Sequence, residues 1–218
     1  KYLSLSLIKN CVSPVPRVFQ LTATIARHVL TKFKTRLKTQ CGVLWSTYAR
    51  LLSSSNSLQA QKMGALQLIS HVCRKPQAVV EIFLNYDCDV DGKDVFEQIV
   101  KAVARAAGTV NNPTLMSAGL DCLELLLAVL VRWVDECGAL QQAQQHVSDV
   151  VEGDAEDEDA DNDGHDDMTP RWLSTPDAAQ IEKFRRAKDH KLMMDEGRVK
   201  FALSHKKGLA YFLSAGLI

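Results

Sequence analysis

The run Asp87-Cys88-Asp89-Val90-Asp91-Gly92 alternates carboxylates ahead of a glycine. A calcium-binding EF-hand loop begins this way, and it closes on a bidentate Glu at its twelfth position. Here the twelfth position is Gln98, Glu97 comes one place early, and residues 95–100 already carry helical spacing. A second run with the same spacing, Asp159, Asp161, Asp163 and Gly164, meets Pro170 at the closing position. Neither run completes a cage for a hard cation. The 6 cysteines include no CxxC pair, so no zinc framework follows. The histidines are scattered, and no GxSxG, HExxH, P-loop or dinucleotide fingerprint is present. The expectation is therefore no catalytic residue, no metal and no cofactor. Nucleic acid is not an expected partner either: finger spacing and aromatic platforms are missing, and a nearby acidic run would compete with phosphate.

Asn85-Tyr86-Asp87-Cys88-Asp89 remains. Its residues alternate between short polar side chains and two that can bury. Asn85, Asp87 and Asp89 can accept hydrogen bonds from the orphan N–H groups that open the next helix. Tyr86 and Cys88, pointing the other way, can wedge into a core. On physical grounds alone this is a pinned turn between helices.

The elements around it read as helices throughout. The chain has 218 residues, 46% of them apolar and 6% aromatic, enough to bury a real core. Pro14 and Pro16 open a helix whose face runs Val18, Leu21, Ile25, Val29, Phe33, Leu37, Cys41 and Leu44. A second helix is expected over residues 58–72, with Leu58, Met63, Leu66, Ile69 and Cys73 inward. A short one starts at Pro76, and a break covers residues 85–94. Val95, Phe96, Ile99, Val100, Val103 and Ala106 form a further face that ends at Gly108. Residues 115–134 are apolar nearly all round, which predicts a helix buried between others. Its apolar run, near residues 120–134, falls short of the roughly 18 residues of a membrane span. No strand-like alternation bounded by hairpin turns occurs. The expected fold is all-α, stacked antiparallel helix pairs of the armadillo or HEAT-like helical-repeat kind.

Charge divides the chain further. Residues 149–167 hold 11 Asp or Glu and no Lys or Arg; the rest balances 26 basic against 15 acidic residues. Residues 1–138 are expected to form one helical domain, 139–173 an acidic disordered linker, and 174–218 further helices opening with Thr175-Pro176-Asp177 as cap and first turn. The basic surface suits an anionic membrane or an acidic partner. Cysteines within apolar helical patterns suit a reducing compartment. The chain is expected to be a segment of a longer protein.

Leu84-Asn85-Tyr86-Asp87-Cys88-Asp89, followed by Val95-Phe96-Glu97, resembles the homology-upstream box of the large Golgi-type Arf guanine-nucleotide exchange factors. Val12-Ser13-Pro14-Val15-Pro16-Arg17-Val18-Phe19 and Phe33-Lys34-Thr35-Arg36-Leu37-Lys38 resemble the helices before that box in the brefeldin A-inhibited, trans-Golgi group. Gly119-Leu120-Asp121-Cys122-Leu123, with Trp133, resembles the helix after it. Glu196-Gly197, Phe201, Lys206-Lys207-Gly208-Leu209 and Gly216-Leu217-Ile218 resemble the start of the Sec-7-type catalytic domain, with Ala202 where the family usually has Asn and His205 where it has Pro.

The resemblance implies a non-catalytic regulatory region, cytoplasmic and peripheral on Golgi or trans-Golgi membrane. Its implied partners are the upstream dimerisation domain of the same protein, Arf-family GTPases and the Golgi membrane surface. Asn85, Tyr86, Asp87, Cys88 and Asp89 would be the interaction motif. Without the resemblance, the helices suit a generic α-solenoid adaptor with no exchange activity.

Overall fold

The computed structural model describes residues 2–151 and 178–218, with side chains left out of account at 139–151 and 178–180. Among the described residues every regular element is helical: α1 Tyr2–Asn10, α2 Pro16–Lys32, α3 Lys38–Ser53, α4 Gln59–Val72, α5 Pro76–Ile82, a π-helical turn Phe83–Asp87, α6 Val95–Ala107, α7 Pro113–Val151, α8 Ala178–Leu203 and α9 His205–Ser214. α4 lies between α2, α3 and α7, and α6 lies between α3 and α7. This is the expected all-α stack.

Sequence chemistry accounts for most boundaries. Pro16 and Pro76 stand at the starts of α2 and α5, where a missing N–H costs no bond. The side chain of Asn112 accepts from the Leu115 N–H at 3.1 Å and so caps α7. Gln61, buried on α4, ties the chain entering α2: its Nε2 donates to the Val12 and Ser13 carbonyls at 3.1 and 2.9 Å.

The first long helical face is not continuous. The chain leaves the helix after Lys32 and restarts at Lys38. α2 buries Phe19, Thr22, Ala26, Val29 and Leu30, whereas Leu21, Ile25 and Phe33 are exposed. Gly64 accounts for the inward turn of Phe19. A Cβ there would come within 2.4 Å of the Phe19 ring, so the gap left by the glycine draws Phe19 inward and turns α2 with it. The faces of α4 and α6 fall as expected, save that Leu58 is exposed.

α7 also departs from its expected burial. Leu115, Cys122, Leu126 and Val129 are buried, but Leu120, Leu127, Val131 and Val134 are exposed. Residues 113–138 are long and apolar enough to cross a membrane by length and composition. Their inner face nonetheless joins the common core. Gly119 brings α7 against α6, since a Cβ there would meet the Ala107 backbone nitrogen at 2.5 Å. The backbone of α7 stays helical to Val151, so the start of the expected disordered linker, 139–151, is helical. The rest of that linker and the cap at 175–177 lie outside the described residues.

Candidate functional site: the box and its docked helix

The five residues of the box do not alternate, because the chain is not extended there. Phe83–Asp87 form a π-helical turn, closed by the Cys88 N–H donating to the Phe83 carbonyl at 3.2 Å. Such turns are rare and recur at functional sites. The π turn sends Tyr86, Asp87 and Cys88 inward together, all buried.

Asp87 is 1% exposed. Its Oδ2 accepts from the Phe96 N–H at 2.8 Å and its Oδ1 from the Glu97 N–H at 3.0 Å. It therefore caps α6 from outside the helix and satisfies two of the orphan donors. Burial pushes its carboxyl above the usual range, and the two N–H donors pull the other way. Asn85 and Asp89 do not share this role. Asn85 Nδ2 donates back to the Glu81 carbonyl at 2.8 Å and stays exposed. Asp89 accepts from Lys38 Nζ at 2.7 Å, which holds its carboxyl below the ordinary value. Of three expected acceptors, only one pins the helix.

Tyr86 links three elements. Its hydroxyl donates to the Lys38 carbonyl on α3 at 2.7 Å, and its ring lies where a Cβ on Gly42 would approach to 2.9 Å. Its carbonyl accepts from Lys191 Nζ on α8 at 2.9 Å. A Cβ on Gly92 would lie 2.7 Å from that same carbonyl oxygen, so only glycine leaves room beside it.

Lys191 is 2% exposed and also meets Asp94 Oδ1 at 3.0 Å. Lys188 reaches the same oxygen at 2.8 Å. Burial alone would raise the Asp94 carboxyl, but the two lysines hold it below its ordinary value. Burial likewise opposes the charge on Lys188, yet Asp94 keeps its amine above the usual range. One carboxylate and one backbone carbonyl thus hold α8 against the box. Neither lysine stands out in the sequence. Their i, i+3 spacing puts them on one helix face, but no local pattern pairs that face with Asp94, nearly a hundred positions earlier.

α8 leads into α9 through Ser204. The Phe201 and His205 rings meet edge to face at 4.8 Å between centroids. A Cβ on Gly208 would come within 2.3 Å of the Phe201 Cα. His205, one of the two departures from the family pattern, opens α9 and packs on Phe201.

A model of the Mon2/Sec7/BIG1-like HUS domain matches residues 1–95. Brefeldin A-inhibited guanine nucleotide-exchange protein 2 of Arabidopsis thaliana is 31% identical over 244 aligned positions, covering 100% of this chain and 13% of the relative. Protein 1 of Mus musculus is 26% identical over 247 positions, with the same coverage. Protein 1 of Arabidopsis thaliana is 29% identical over 238 positions, covering 98% of the chain and 14% of the relative. The chain is a homologue of this segment of the brefeldin A-inhibited exchange proteins. It spans about an eighth of the length of the curated relatives it matches. The HUS match takes in the whole box and stops at the first residue of α6, whereas the exchange-protein likeness runs on through α8 and α9. The contact of Lys191 with Tyr86 therefore joins the HUS domain to the part of this segment beyond it. Among the described residues no group of His, Cys, Asp or Glu has the geometry to hold a metal ion.

Proposed function

We propose that this chain is the non-catalytic regulatory and scaffolding region of an Arf guanine-nucleotide exchange factor acting in Golgi vesicle traffic. In this reading it binds the upstream dimerisation domain of its own protein and helps recruit the protein to Golgi membrane and Arf-family GTPases. The box is the joint. Tyr86, Asp87 and Cys88 act from inside, shaping the π turn and fixing α6, while Asn85 and the half-exposed Asp89 remain for a partner to touch. The observation that carries the reading is the burial of Lys191 on the box. It couples the HUS domain to the helix that leads towards the catalytic domain, so a partner on one side can bias the other. The alternative of a generic solenoid adaptor leaves the likeness of α8 and α9 to exchange proteins without a reason.

The test is a pull-down with the upstream domain of a related exchange protein and, separately, with GTP-loaded Arf on liposomes. The chain should retain the upstream domain, and Asn85→Ala with Asp89→Ala should weaken retention several-fold at unchanged melting temperature. Failure to retain the upstream domain together with failure to associate with Arf-bearing liposomes would end this reading and favour the adaptor.

A further inference from the structure

A cleft of about 530 Å3, lined in part by Tyr86 and by no residue of α8, falls within the roughly 300–1,000 Å3 typical of ligand pockets. Its floor is apolar, with Cys41, Trp45 and Tyr86 buried. Its walls are cationic. Arg27 and Lys32 come from α2, Lys34 from the α2–α3 turn, Lys38 from α3 and Lys75 from the start of α5, against Glu81 as the one lining carboxylate. Glu81 pairs with Lys34, and Lys38 pairs with Asp89. Among the described residues no carboxylate pairs with Arg27, Lys32 or Lys75. His71, also on the wall, reports the local field: desolvation first, then Arg27, Arg74 and His28, disfavour its protonation.

We propose that this cleft is a docking site for an acidic peptide, and that its occupant is the chain's own run 149–167. Charge complementarity is direct. The run carries 11 carboxylates and no Lys or Arg, and it is the strongest concentration of negative charge in the sequence. Shape favours it over a membrane. The cations come from α2, the α2–α3 turn, α3 and the start of α5 around one concavity, which a peptide can enter and a flat bilayer surface cannot follow. The tether from α8 is long enough. α8 is anchored at Lys188 on Asp94, ten residues or about 15 Å along the helix from its start. The eleven residues from 167 to 178 span up to roughly 36 Å when extended. Covalent attachment raises the effective concentration of the run to the order of millimolar, so even weak contacts would fill the cleft. The run then competes with any external acidic partner for the same cations. This inference goes beyond the exchange-factor reading and does not depend on it.

The experiment uses the full 218-residue chain and a fluorescein-labelled peptide of residues 149–167. One form of the chain is wild type; in another the eleven carboxylates are changed to their amides. Fluorescence anisotropy at low salt should show the peptide binding the neutralised chain about tenfold more tightly than wild type, a difference expected from competition in cis. In the neutralised background, Arg27→Glu with Lys75→Glu should weaken binding by about tenfold or more, and Arg27→Gln with Lys75→Gln by less, since each exposed charge contributes modestly. Rising salt should weaken all binding. Equal affinity for the wild-type and neutralised chains overturns the proposal. So does binding indifferent to both pairs of substitutions at unchanged melting temperature. Vesicles containing phosphatidylinositol phosphate that bind both chains equally and displace the peptide would assign the cleft to a lipid instead, and also overturn it.

Discussion

The helical stack α1–α7 and the pair α8–α9 are held by different physics. In the stack, Leu44, Leu66, Ile69 and Ile99 are at or near zero exposure in one continuous core. Burial of that kind is non-directional and involves no titrating group. α8 meets the box through Lys188, Lys191, Asp94 and the Tyr86 carbonyl. Those contacts are directional and charged, and their partners can be titrated. Beyond them α8 and α9 leave Ile181, Leu192, Val199, Phe201, Leu209 and Leu213 exposed. The contrast teaches that the fold and the orientation of its last two helices can be changed separately. A regulatory joint requires that separation.

The largest effect tests the stack. Leu66→Ala removes a side chain 2% exposed and should cost about 3 kcal/mol. It should lower the melting temperature and unfold α1–α7 as one unit. A comparable truncation on α8, Leu192→Ala, should leave that transition unchanged, because Leu192 is 53% exposed. Equal losses from both would abolish the contrast.

The docked helix comes next. Asp94→Asn removes the counter-charge of buried Lys191, leaving it an amide oxygen and the Tyr86 carbonyl, and should weaken docking of α8 by about 2 kcal/mol, discounted from the fully buried case because Asp94 retains some solvent contact. Hydrogen exchange on α8 should rise while exchange in α4 stays constant. Adding Lys191→Met should recover part of the loss by removing the unpaired charge. pH gives the same contact a second signature. The Asp94 carboxyl is depressed from 3.8 in the folded chain, so its contribution is complete above about 4 and is lost as pH falls through the lower folded value. The Lys188 amine is raised from 10.5, so its contribution is complete below 10.5 and is lost as pH rises through the higher folded value. Docking should therefore be flat between these limits. A change centred near neutrality would point to a group other than Asp94 and Lys188.

How much of this was legible beforehand follows from the range of the forces. The starts of α2 and α5 at proline, the end of α6 at Gly108 and the inward faces of α4 and α6 are local properties, and the sequence displays them. The inward turn of Phe19 on α2 goes with the space left by Gly64, a contact between helices that periodicity does not encode. The box stood out as a turn, and Tyr86 and Cys88 face inward as expected. Its π turn is invisible in the sequence because i→i+5 bonding has no spacing signature, and so nothing there separates Asp87 from Asn85 and Asp89, although of the three it alone is buried. The lysines that complete the site come from a helix a hundred residues away, and only the tertiary fold brings them to the box.

Asp87 sharpens the comparison most finely, because it stands where the two regimes meet. It fastens α6, which belongs to the stack, yet it lies in the turn whose next-door carbonyl, that of Tyr86, receives Lys191. Asp87→Ala strips two N–H groups of their acceptor and should cost about 1–2 kcal/mol, the usual range for a lost helix cap. Asp87→Asn keeps one acceptor oxygen and should cost less. If the box acts only as a pinned turn, melting temperature and binding of an upstream domain fall in proportion across the two variants. If it acts as a joint, Asp87→Ala weakens that binding and loosens α8 by more than its effect on melting accounts for, because releasing the start of α6 also frees Asp94 one residue before it. Measuring melting, α8 hydrogen exchange and upstream-domain binding on the same two variants separates the outcomes. Strict proportionality among the three would place Asp87 wholly with the stack.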